Sequence, residues 1–240
     1  MTDVLVERGD RDVVQSVVKN AGARFSDAGF RLLVNRSAAD DDLATFVGRR
    51  SDIPRPHFLV LLEKASAAVR DRLAAERPDA ASAIAGIVAE IAGSIRDDAR
   101  NSSPDFAKAL AAVERQNRLR RIGEAEIYEY AHNRKFEETA IALSLLCDTP
   151  TDVVERALLD PGAEIVLILA KVAGLSANTT RTLLLLRAAD RGMSVSDLDQ
   201  ALATFTRMHL ETARRVLSFF RTRVTNPTRP VIFPPVAVNG

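Results

Sequence analysis

Histidines, a lone cysteine, paired carboxylates and clustered arginines are the side chains in this sequence equipped for chemistry, and their spacing decides what they can do. His57, His132 and His209 stand 75 and 77 residues apart. Local metal sites place their ligands a few residues from one another, so a zinc site here would have to be assembled wholly by the fold. No GxGxxG, Walker A loop, GxSxG or HExxH occurs, which removes the common nucleotide-binding and hydrolase signatures. Tyr128, Glu129, Tyr130 and His132 cluster, but helical spacing puts Tyr128 and His132 on one face and Tyr130 on another. Glu137-Glu138 and Asp40-Asp41-Asp42 fall at helix starts, where the macrodipole favours acidic residues. Cys147, the one cysteine, cannot form an internal disulfide and reads as a small buried hydrophobe of an apolar helix. No catalytic residue, metal ligand or cofactor is assigned, and the chain is expected not to be an enzyme.

Two basic clusters remain. Arg115, Arg118, Arg120 and Arg121 gather near a helix end, where cations are favoured by the same dipole. Residues 206–230 hold Arg207, Arg214, Arg215, Arg221, Arg223 and Arg229 against the single acid Glu211, a local excess of five positive charges. Arg207, Arg214 and Arg221 recur at seven-residue steps, with Arg215 alongside, as on one helix face. Such a face suits phosphates or an acidic protein surface. It equally suits pairing with acidic residues elsewhere, because the whole chain carries a formal net charge of only +1, which also argues against a broadly basic nucleic-acid binder.

The elements that must position these groups read as helices throughout. Hydrophobic content of 47% excludes general disorder, and no segment alternates apolar and polar for long, so an all-α fold is expected. The densest stretch, Phe136 to Ala189, holds four apolar segments divided by short polar turns. Val153, Val154, Ala157 and Leu158 form one stripe, with Asp152, Glu155 and Arg156 on the other face. The Ile165–Leu169 and Leu183–Leu186 runs are apolar all round and are expected to be enclosed by neighbours. Neither reaches the roughly 20 residues a bilayer requires.

Before it, the chain repeats itself. A shift of 29 residues lays Val14, Val17 and Val18 on Leu43, Phe46 and Val47, Leu32-Leu33 on Leu61-Leu62, and Ser37-Ala38-Ala39 on Ser66-Ala67-Ala68. Stacked helix pairs produce such a period, each burying its apolar face only against the next. The unit, including an apolar-Arg step at Val69-Arg70, resembles HEAT-like repeats. Two long helices follow, 79–100 with Ile84, Ile87, Val88, Ile91 and Ile95 and small residues that permit close packing, and 105–122 with Phe106, Leu110, Val113 and Leu119 on one side. Further helices are expected around Ile127, from Ser194 and from His209 to Val224. The tail from Thr225, with four prolines in 16 residues, cannot be helical and reads as an extended strap.

The pieces FEETAIALSLLCDTPTDVVERALLDPGAEIVLILAKVAGLS and TTRTLLLLRAAD resemble the core of the bacterial family known as domain of unknown function 2336, with similarity over most of residues 55–222. The resemblance implies an all-helical protein with HEAT-like N-terminal repeats and no established activity. The family has an aromatic residue near Ala177 or Asn178; this chain has none, so no contact made by that loop is carried over.

The expected architecture is HEAT-like helix-pair repeats over residues 1–77, a C-terminal multi-helix bundle over 78–224 and a Pro-rich tail over 225–240. The expected role is a non-enzymatic protein-interaction or regulatory module with a protein partner. The alternative is an anion binder, for nucleic acid, a phosphorylated partner or a nucleotide messenger, using Arg207, Arg214, Arg215, Arg221 and Arg223. The N-terminus lacks the charged, apolar and cleavage regions of a secretory signal, so a cytoplasmic protein with no membrane segment is expected.

Overall fold

In the computed structural model the described residues are 2–160, 162–191 and 193–225, with the side chains of 187–191 and 220–225 outside the description. They form α-helices and short 3-10 turns, with no strand among them. Five helices make the N-terminal part: α1 (Thr2–Arg8), α2 (Arg11–Lys19), α3 (Asp27–Arg36), α4 (Asp41–Gly48) and α5 (Arg55–Glu76). Their starts are set locally. Asp10, Ser26 and Asp40 each accept a hydrogen bond from a backbone N–H three residues on, satisfying an otherwise orphaned helix donor. Helix α5 starts behind Pro54, with Pro56 in its first turn, where the missing N–H costs nothing.

These helices lie in two layers. Helix α1 packs on α3 and α3 on α5, while α2 packs on α4. Val14 and Val18 are buried, as are Leu43 and Val47, the residues 29 positions later. Bonds tie each level to the one before it: Arg36 donates to the Val6 carbonyl, Arg50 to those of Val18 and Ala23, and Lys64 to that of Val34. Helix α1 precedes Val14, the first residue aligned by the 29-residue shift, and its Val6 is fully buried in the same core.

Helix α5 turns through residues 77–80 into α6 (Ala81–Asn101), and the two form a long antiparallel hairpin. The expected boundary at residue 77 falls in the turn at its tip. Helices α7 (Pro104–Leu119), α8 (Glu124–His132), α9 (Phe136–Cys147), α10 (Thr151–Leu159), α11 (Glu164–Val172), α12 (Ala177–Arg191), α13 (Val195–Arg207) and α14 (Leu210–Thr225) complete the described chain. A second apolar core runs from Ala109 through Leu217. At its centre Val166, Leu169, Leu183 and Leu184 are fully buried, each contributing about 1.5–3 kcal/mol. Leu159 belongs to the first core and Phe136 packs against both, which joins them.

Several expectations need correction. Leu185 is 49% exposed, so the Leu183–Leu186 run is not enclosed all round, whereas Val166, Leu167, Ile168 and Leu169 are buried as expected. On α7 the buried residues are Ala109 and Val113, with Phe106 partly buried. Leu110 turns partly outward and Leu119 is 78% exposed at the helix end. A Cβ added at Gly86 or Gly93 would meet nothing within 4 Å, so these glycines serve no close approach. Helix α14 continues through Thr225, where the tail was expected to begin. The rest of the tail, 226–240, lies outside the described residues.

Candidate functional site

The structure takes Arg207 off the helix that carries Arg214, Arg215 and Arg221. Arg207 is the last residue of α13, and Met208 and His209 separate it from α14, so its seven-residue spacing to Arg214 is not helical phase. Its Nε turns back toward the Ala203 carbonyl at 3.4 Å. Arg214 and Arg215 are exposed neighbours on α14, about 100° apart around the axis, and Arg214 pairs with Glu211 at 3.2 Å. Arg221 and Arg223 also belong to α14, but their side chains, and all of Arg229, lie outside the described residues. The arginines of the other cluster are exposed, with Arg118 on Glu114 at 3.7 Å and Arg120 on Glu126 at 3.8 Å.

The histidines are dispersed. His57 is buried, its Nε2 2.7 Å from Asp27 Oδ1, while His132 stacks on Tyr128 with ring centroids 5.6 Å apart and His209 is exposed. Among the described residues no group of three His, Cys, Asp or Glu side chains could hold a metal ion. Cys147 is buried and its thiol donates to the Leu169 carbonyl at 3.4 Å.

Four charged residues, of which the sequence singles out only Glu137 and Glu155, placing them at a helix start and on a polar face, meet in the interior. Arg55, at the start of α5, donates from Nη1 to Glu137 Oε2 at 2.6 Å and from Nη2 to Glu155 Oε1 at 2.8 Å. The second Glu155 oxygen accepts from Arg100 Nη2 at 2.9 Å. Glu155 is wholly buried, against the expectation that it shares an outer face with Asp152 and Arg156. Both guanidiniums lie over the Phe106 ring, at 5.0 and 5.9 Å. Burial pushes the Glu137 carboxyl up, against the pull of Arg55. Two arginines against two glutamates leave the cluster neutral. It joins the base of the α5–α6 hairpin to α9 and α10, and it is a structural clasp rather than a ligand site: each charge is already spent on another.

The same holds for a surface groove of about 850 Å³ lined by Arg11, Arg36, Arg72, Asp40, Asp41 and Asp42. Arg11 pairs with Asp40 and Asp42, and Arg72 with Asp41. The Arg11 guanidinium, with the Leu43 N–H and Gln15, holds the Asp40 carboxyl far below the usual carboxylate range.

The feature with spare binding capacity is apolar. Val69 and Leu73 on α5 are 50% and 41% exposed, and Ile87, Ile91 and Ile95 on α6 are 58%, 56% and 37% exposed. Helical phase places both sets on one side of the hairpin. The other side of α5 faces the N-terminal layers, where Lys64 reaches Asn35 and Arg72 reaches Asp41. On α6 the buried residue is Ala92, and the helix packs chiefly against α5. The most apolar 18-residue window of Pro78–Asn101 has a mean hydropathy of 1.2, and 6% of it is buried. A surface helix of that composition normally hides its apolar stripe. The isoleucine spacing was visible in the sequence; that nothing within the described chain covers it was not.

The model of a family described as an uncharacterised protein conserved in bacteria, domain of unknown function 2336, matches residues 1–218. No curated protein and no solved structure matches the chain.

Proposed function

The chain belongs to the bacterial family known as domain of unknown function 2336, and we propose that it works as a non-enzymatic protein-interaction or regulatory module of the cytoplasm, docking another polypeptide on its α5–α6 hairpin. The observation that carries this reading is the open apolar face of Val69, Leu73, Ile87, Ile91 and Ile95, since a contiguous exposed patch of this kind marks an interaction surface. The two N-terminal layers, with their 29-residue period, support a HEAT-like solenoid as the rigid mount from which the hairpin projects. The buried clasp of Arg55, Arg100, Glu137 and Glu155 fixes the hairpin's base against the bundle.

The test compares the wild type with Ile91→Asp as bait in lysate of the source bacterium. Ile91 is more than half exposed, so the variant folds; circular dichroism verifies it. The reading expects at least one protein, a second copy of this chain included, to be retained by the wild type and lost by the variant. Equal retention, or none by either, refutes it.

Anion binding remains the alternative, favoured by the exposure of Arg214 and Arg215 on α14. Titration with a nucleic acid at two salt concentrations decides it: if Arg214→Ala with Arg215→Ala leaves affinity and salt slope unchanged, the alternative falls.

A further inference from the structure

We infer that the occupant of the hairpin face is a second copy of this chain, the two hairpins packing antiparallel about a two-fold axis through Ile91 to complete a four-helix bundle. The inference rests on the interaction reading above and names its partner.

The argument begins with symmetry. An isologous interface requires a surface that maps onto itself under a two-fold rotation. On α6, Ile87 and Ile95 stand four residues to either side of Ile91. A two-fold through Ile91 therefore sets Ile91 on itself and Ile87 on Ile95 of the second copy. On α5 the residues turned to the same side are Leu62, Ser66, Val69 and Leu73, spaced four, three and four. That stripe is also a palindrome, and its centre lies between Ser66 and Val69. Counting equal numbers of residues from the turn at Arg77–Ala80 puts Ile91 level with Ser66, within two residues of that centre. One axis thus serves both helices: it pairs Leu62 with Leu73 and Ser66 with Val69 across α5, while it pairs the isoleucines across α6. Two unrelated stripes have no reason to share a centre.

Size and charge agree. Five residues between 37% and 58% exposed form a patch of a few hundred Å². The two-fold doubles it, giving an apolar centre on the scale of the smaller specific interfaces. Within the α6 stripe, Ser94 is the one polar residue between Ile87 and Ile95 on that side, and the axis sets Glu90 at the rim level with Ala92 of the other copy, so no like charges face each other. The 4-3-4 spacing on α5 is that of left-handed bundle packing, and α6 carries its isoleucines four residues apart.

The experiment uses the purified full chain. Sedimentation equilibrium is expected to show a dimer at micromolar concentration, with Ile91→Asp raising the dissociation constant at least tenfold at unchanged helicity. A cysteine at the axis gives a readout independent of stability. Ile91→Cys is expected to cross-link to itself under mild oxidation, whereas Gly86→Cys, on the other side of α6, is not; native Cys147 is buried and silent. A monomer at all concentrations, a dimer indifferent to Ile91→Asp, or a dimer that cross-links at 86 rather than 91 overturns the inference. So does flotation of a monomer with anionic lipid vesicles, which would make a membrane surface the occupant. If the chain is monomeric while Ile91→Asp still abolishes capture of a different protein from lysate, the interaction reading survives and the second copy alone is excluded.

Discussion

Replacing Glu155 by leucine removes the centre of the buried clasp. In the wild type its two oxygens take one guanidinium each, at 2.8 and 2.9 Å, and the side chain is 0% exposed. Without it, Arg55 keeps Glu137 but Arg100 keeps only Asp97, at 2.9 Å and 58% exposed, so the interior of the cluster gains one net positive charge. Arg55 is 6% and Arg100 17% exposed, and the Nε of each already lacks a hydrogen-bond partner, so little water reaches the stranded charge. An uncompensated buried charge costs about 3–5 kcal/mol, a large part of a total stability of roughly 5–15 kcal/mol. At about 2–4 °C per kcal/mol for a chain of this length, the melting temperature is expected to fall by roughly 6–20 °C. Thermal and urea unfolding followed by circular dichroism measure it. The decisive comparison is Glu155→Leu with Arg100→Leu. The double variant restores neutrality and keeps the Arg55–Glu137 pair, so it is expected to be more stable than Glu155→Leu alone. A single-variant loss below about 1 kcal/mol, the size of a surface ion pair, or a double variant as unstable as the sum of its parts, refutes the clasp.

Other outcomes follow from the same geometry. Asp40, Asp52 and Asp27 are held below their usual pKa by hydrogen bonds from Arg11, Arg50 and His57 respectively. A depressed carboxylate contributes stability that is present above its unfolded pKa of about 4 and is lost as pH falls through the folded value. The N-terminal layers are therefore expected to loosen below about pH 4, and Asp40→Asn is expected to flatten that acid limb in a pH series of melts. Glu124 is likewise depressed, by hydrogen bonds from Ser176 and Thr179, so Glu124→Gln is expected to weaken the cap of α12 and raise amide exchange over residues 176–180. Gly174 has φ of +72° with open space around it, so Gly174→Ala is expected to cost about 1 kcal/mol through backbone strain alone; a neutral result in urea unfolding would contradict the left-handed cap.

Much of the helical layout was legible before any coordinates, because capping and 3.6-residue periodicity act within a few residues. Ser103 and Ser194 cap the helices that their positions announce, Gly174 ends α11's run, and the 29-residue shift found Val14, Val18, Leu43 and Val47, all buried. Glu155 was misread for the same reason that its neighbours were read well. A glutamate beside Asp152 and Arg156 belongs on a polar face by local pattern, and only partners 100 and 55 residues away make its burial affordable. Arg207 was misread on a smaller scale: two residues of non-helical backbone at Met208 and His209 break a phase that spacing alone carries through.

The sequence by itself determined where helices begin and end and which of their stripes are apolar, since those depend on neighbours along the chain. The tertiary structure decided which stripes are used. It brings Arg55, Arg100, Glu137 and Glu155 together from four helices, because a charge can leave water only where its counter-charge is already placed. It also leaves Ile87, Ile91 and Ile95 uncovered, although their pattern matches that of stripes buried elsewhere in the chain. Burial is a property of what lies opposite, and nothing in the local pattern of α6 records that the described chain puts no helix there.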